Sequence, residues 1–303
     1  MKARNKHFAV GVLIVVAGAV PLGAYASMEE RGEELFRDGV RLANDGEYEA
    51  ALEQFERAMA YTPTVNVLWN IACCHVVLGD RDLAVSCLDR YMEHDTAFQE
   101  SAEMQEVLAA IAAEPHNIPD LDRRNELWDR VEAASRAVEQ GRATPATADQ
   151  RRYGVSSRGA RAKTGDATVE GMQSRILTAY LTERVGVNDL EGGLAYAERA
   201  LAYSAHSNLY WNIGSAHLLL GHRDMTLAFL DLYQQRKPQV RESAEVQQVM
   251  SDIADAPPTI GGELAHRLYA RLNSAVDRAL PPSPTPSARP PVRRFPWTVS
   301  ACA

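Results

Sequence analysis

Cys73, Cys74 and His75 are the first residues of this 303-residue chain whose types suggest chemistry, because thiolate and imidazole are the usual ligands of zinc. Zinc sites draw their ligands in spaced pairs, whereas adjacent positions on a helix point about 100° apart. No Cys pair stands at a metal-site spacing, so no metal is expected. His75 and His217 occupy matching places in a duplicated segment and read as packed histidines. The 40 acidic residues read as solvated helix faces, and no pair of them can be singled out for general acid and base work. GxxxxGK[ST], GxSxG and HExxH are all absent. Neither a cofactor nor an enzymatic activity is expected.

The front of the chain has the three parts of an export signal: Lys2, Arg4 and Lys6, then the apolar run Phe8 to Val20, then Ala24-Tyr25-Ala26 as a small-x-small cleavage site. Cleavage is expected after Ala26, with a periplasmic or secreted destination. As a helix the run up to Pro21 would rise only about 20 Å against a hydrocarbon core of about 30 Å, so an uncleaved span is disfavoured. No later apolar run approaches the length of a membrane span. The net charge of −8 becomes −11 without the three leader cations (29 basic against 40 acidic residues), a balance that repels phosphate backbones and excludes nucleic acid as a partner. In an oxidising compartment Cys73 or Cys74 could bridge Cys87. The second copy carries Ser215, Ala216 and Phe229 at those places, which favours buried free thiols.

That copy is visible in the letters. "NVLWNIACCHVVLGDRDLAVSCLDRY" from Asn66 returns as "NLYWNIGSAHLLLGHRDMTLAFLDLY" from Asn208, identical at 12 of 26 positions. Over Ala60 to Pro115 against Ala202 to Pro257 the agreement is 23 of 56 without an insertion. Apolar residues recur at helical spacing: Leu35, Phe36, Gly39, Val40 and Leu42; then Tyr48, Ala51, Leu52, Phe55 and Ala58; later Met104, Val107, Leu108 and Ile111, copied as Val246, Val249, Met250 and Ile253. Breaks fall at Asn44-Asp45-Gly46, Pro63 and Gly79-Asp80. Each half reads as about six helices, the last formed by "LDRRNELWDRVEAASRAVEQ" and "GELAHRLYARLNSAVDRAL".

Leu35, Gly39, Leu42, Gly46, Tyr48, Ala51, Phe55, Ala58 and Pro63 resemble the tetratricopeptide repeat, and Ile71, Ala72, Gly79, Ala84 and Leu88 continue the likeness. The resemblance implies an all-α fold of two hairpin arrays, an α-solenoid, joined by a flexible linker. It further implies a non-catalytic scaffold that binds a partner protein or peptide in a concave groove lined by the first helix of each hairpin. Mapped on the repeat pattern, that groove is lined by Asn66, Trp69, Asn70 and Cys73 in one half and by Asn208, Trp211, Asn212 and Ser215 in the other. The alternatives are an exported enzyme with a site between the halves and a structural homodimer.

The expected organisation is a signal peptide (1–26), a first helical domain (27–140), a linker (141–170), a second helical domain (171–280) and a proline-rich tail (281–303). The linker "GRATPATADQRRYGVSSRGARAKTGDAT" is poor in large apolar residues, and the tail "PPSPTPSARPPVRRFPWTVSACA" reads as extended chain. Phe295 and Trp297 are its candidate docking residues.

Overall fold

Every apolar repeat noted above becomes a helix in the computed structural model, which describes residues 22–150 and 168–280. The leader up to Pro21, most of the linker and the tail with Cys302 lie outside the described residues. The first copy forms α1 (Leu22–Asn44), α2 (Tyr48–Tyr61), α3 (Val65–Leu78), α4 (Arg81–Met92), α5 (Thr96–Gln99), α6 (Ala102–Ala112) and α7 (Leu121–Glu139). The second forms α8 (Val169–Gly186), α9 (Leu190–Tyr203), α10 (Ser207–Leu219), α11 (Arg223–Gln235), α12 (Pro238–Glu242), α13 (Ala244–Ala254) and α14 (Gly262–Ala279). The described residues are all-α, with three isolated bridges and no strand.

Helix starts are set by local chemistry that both copies share. The Ser101 hydroxyl accepts from Met104 N at the start of α6, and the Ser243 hydroxyl from Val246 N at the start of α13, each satisfying a donor that the first turn leaves open. Thr64 does the same for Val67 N of α3. The last helices differ: Asp120 caps α7 through Asp122 N and Arg123 N, whereas α14 follows Gly261 and has no side-chain cap.

Contacts divide the described residues into two compact units, 33–150 with 168–173, and 174–280 with 22–32. Each unit thus includes the opening residues of the helix that begins the other copy. In the first unit Glu170, at the start of α8, is buried and accepts from Arg90 of α4 at 3.2 Å. In the second, the Tyr25 hydroxyl at the start of α1 donates to Asp231 of α11 at 2.5 Å, beside a fully buried Ala24.

Within the first unit α3 lies against α2, α4 and α7; within the second, α10 lies against α9, α11 and α14. Surrounded on three sides, α3 buries eleven of its 14 residues, from Val67 to Val77. The aromatic group Trp69, Tyr91 and Phe98 fills the space beside it, with ring centroids 4.9–5.6 Å apart. In the second unit Trp211 meets Tyr233 at 5.4 Å, and Val240 takes the place of Phe98. Bulk is also traded between helices. A Cβ on Gly39 would lie 2.7 Å from the Phe55 ring, whereas the second copy has buried Leu181 and Ala197 at those two places.

One junction is repeated almost atom for atom. Gly79 (φ +84°) ends α3 and its carbonyl accepts from Ile118 N at 2.9 Å; Gly221 (φ +83°) does the same beyond α10 with Ile260 N, also at 2.9 Å. A side chain at either glycine would meet the Ile118 or Ile260 carbonyl oxygen at 2.7 or 2.5 Å, so both the left-handed backbone and the close approach require glycine. Arg81 and Arg223 tie the next loop down, donating to Glu114 O at 2.5 Å and to Ala256 O at 2.8 Å. These clasps hold the last helix of each copy against the inner one.

The segment expected as a linker starts as ordered chain. Ala102 N donates to Thr144 O at 2.8 Å, Ala146 N to Glu100 O at 2.6 Å, and Ala146 is buried. The Glu103 carboxylate accepts from Thr144 N at 3.0 Å and from the Ser101 hydroxyl at 2.9 Å. Partial burial raises its pKa, but the backbone N–H groups of Glu103 and Thr144 and the hydroxyls outweigh that and hold it down at about 2. A carboxyl depressed from 4.5 in this way favours the folded form above that value and gives the benefit up as pH falls toward 2. The expected result is that hydrogen-exchange protection of the Thr144 and Ala146 amides falls between about pH 5 and pH 2.5, and that Glu103→Gln shows the loss already at about pH 7. Unchanged protection in both experiments contradicts this clasp.

Candidate functional site

The eight residues assigned to a groove are not equally reachable. Asn66 and Asn208, in the first turns of α3 and α10, are half-buried. The other six lie in the cores: Trp69 is 7% exposed, Asn70 3%, and Cys73, Trp211, Asn212 and Ser215 are fully buried. The Asn70 amide is committed to its own helix, donating to Asn66 O at 2.8 Å. The sequence mapping placed them on an open inner face; α7 and α14 pack onto those helices instead.

His75 and His217 likewise sit inside, 1% and 4% exposed. His75 Nδ1 is 3.1 Å from Asp80 Oδ2, and in the second copy His217 Nδ1 is 3.1 Å from His222 Nδ1. Each histidine therefore braces the end of an inner helix against the turn that follows. Phe229, the counterpart of Cys87, stacks on His217 at 5.8 Å. Among the described residues no group of three or more His, Cys, Asp or Glu side chains is placed to hold a metal ion.

The reading of the acids as solvated needs correction at particular places. Glu56 and its counterpart Glu198 are fully buried on α2 and α9, and Asp89 and Glu170 are buried as well. Burial chiefly, together with the charges of Glu56 and Glu49, pushes the Cys74 thiol up to about 12. Cys73, Cys74 and Cys87 are in the thiol form, outside any disulfide, and have no exposed surface. Side chains without exposed surface are out of the reagent's reach, and Cys74 is also kept from forming the reactive thiolate, so none of the three is expected to react with a maleimide at about pH 8 in the folded protein, and all three should react in denaturant. Mass spectrometry counts the adducts; rapid labelling of the native protein at any of these positions contradicts the assignment.

An open cleft of about 490 Å³ lies between α13 and α14 in the second unit, with Val249 and Ala275 on its floor. Its charged rim is already paired: Arg278 with Glu245 at 2.7 Å and Arg271 with Asp252 at 2.6 Å. Two hydrogen bonds, from Gln248 and then Arg271, hold the Asp252 carboxyl below its usual range.

The surface that stands out is on α8. Met172 is 52% exposed, Ile176 50%, Tyr180 48% and, just past the helix, Val187 69%. The same places in the first copy carry Glu30, Glu34, Asp38 and Asp45, all exposed. The inward positions stay closed in both: Leu35, Gly39 and Ala43 on α1, Leu177, Leu181 and Val185 on α8. One helix plan thus carries an acidic outer face in the first copy and an apolar one in the second. Tyr180 stacks on Tyr196 of α9 at 5.3 Å, and the guanidinium groups of Arg199 and Arg184 lie 5.6 and 6.0 Å from the Tyr196 ring. Exposed Tyr, Arg, Met and Ile side chains in one patch have the composition of protein interfaces.

Comparison of the chain with protein-family models, with curated proteins and with solved structures finds no match.

Proposed function

We propose that the chain is a non-catalytic protein-binding scaffold of the bacterial cell envelope, built from hairpins of the tetratricopeptide type and presenting its binding face on the second copy. The observation that carries this reading is the divergence of one duplicated helix, whose buried side is kept while its outer side changes from acidic to apolar. Water gives no reason to hold Ile176, Tyr180 and Val187 in one exposed row, whereas a protein partner does. No helix among the described residues is long and apolar enough to cross a membrane.

The leader at the front of the chain supports export. A cut after Ala26 would remove Ala24 and Tyr25, and with them the Tyr25–Asp231 hydrogen bond. Affinity capture from an envelope fraction tests the binding role. The variant Ile176→Glu/Tyr180→Asp, which installs the residue types of Glu34 and Asp38, should retain at least about tenfold less partner than the wild-type chain, a change of about 1.4 kcal/mol. Equal recovery by both proteins contradicts the reading.

A further inference from the structure

We propose that the occupant of the α8 face is a second copy of this chain, the two α8 helices pairing antiparallel about a two-fold axis beside Ala179. The proposal rests on the reading of that face as an interaction surface and names its partner. The argument comes from one charge that an apolar partner cannot accommodate. On a helix wheel Glu183 falls in the same row as Ile176 and Val187, all three exposed. A wholly apolar occupant would strand that carboxylate, so the occupant must bring a cation to it.

This chain has the cation at the required place. Arg175 lies four residues before Ala179 and Glu183 four residues after it, both exposed. In an antiparallel pair centred there, Arg175 of each copy faces Glu183 of the other, twice over, as a two-fold contact demands. Ile176 of one helix then lies about 3 Å along the axis from Tyr180 of the other, within reach of its ring, and the small Ala179 lets the axes approach to about 8–10 Å. The first copy of the helix cannot make this contact, since Glu34 and Asp38 would meet their own charges.

Sedimentation or light scattering of the full chain at about 10–100 μM and about 0.15 M salt, which screens the repulsion between two acidic chains, tests the proposal. The wild-type chain should be a dimer. Ile176→Glu/Tyr180→Asp should be a monomer over that range, Glu183→Arg should dissociate at least about tenfold more readily, and Arg175→Glu combined with Glu183→Arg should recover the dimer. Circular dichroism should show the same helicity in all of them, because the altered positions are exposed. A monomeric wild type, or a dimer indifferent to these substitutions, overturns the proposal. If the wild type is monomeric but Ile176→Glu/Tyr180→Asp still abolishes capture of another protein, the self-pairing fails while the scaffold reading stands.

Discussion

Trp211→Ala is expected to lower the unfolding free energy by roughly 3–5 kcal/mol and the melting temperature by about 10 °C or more. The indole is fully buried in α10, 5.4 Å from the Tyr233 ring, and α9, α11 and α14 close around its helix. Removing it leaves a cavity walled by three helices whose own packing keeps them from collapsing inward. Trp69→Ala removes an indole held by Tyr91 and Phe98 and is expected to cost a similar amount. Chemical denaturation followed by circular dichroism measures both. A loss under about 1 kcal/mol at Trp211 would mean that its ring stands in solvent, available to a ligand. Neither substitution reports on partner binding, because either one disturbs the core first.

Gly221→Ala should be nearly as damaging, and the fold contains its own control. Gly46 and Gly221 have the same backbone, φ +83°, so an alanine at either bears the left-handed penalty of about 1–2 kcal/mol. At Gly46 nothing lies within 4 Å of the added carbon, whereas at Gly221 it meets the Ile260 carbonyl oxygen at 2.5 Å. That oxygen belongs to backbone anchored by the bond from Ile260 N to Gly221 O, so it cannot yield as a flexible side chain would. Gly221→Ala is therefore expected to lose about 3 kcal/mol or more and Gly46→Ala about 1 kcal/mol. Equal losses in the two variants would show that the clasp between inner and last helix does not constrain Gly221.

How far the letters foretold this can be read residue by residue. The matching apolar rows from Met104 and Val246 announced α6 and α13, while the Ser101 and Ser243 caps that open these helices emerge only in the fold. Gly79 and Gly221 announced the ends of α3 and α10, because a left-handed cap is a local demand of the backbone. The mates of the inner helices were not legible from the repeat pattern, which maps an open groove. Yet "VLWNIACCHVV" has apolar residues on every side, with only Asn70 and His75 interrupting them, the signature of a helix enclosed on all sides. Glu56 and Glu198 looked like solvated acids, and only their identical place in both copies hinted that the interior holds them. The α8 face was also within reach. Extending the copy alignment upstream of Ala60 by the same offset sets Glu34, Asp38 and Asp45 against Ile176, Tyr180 and Val187, a contrast that periodicity within either copy does not reveal.

The central claim is that the outward face of α8, and not its acidic twin on α1, meets another polypeptide. A photo-reactive amino acid placed in the full chain at position 176, and in a parallel experiment at position 34, tests this in intact cells. Strong crosslinking to protein from 176, to a second copy or to another chain, with little from 34 is the predicted outcome; equal yields from the two positions, or none from 176, would contradict it.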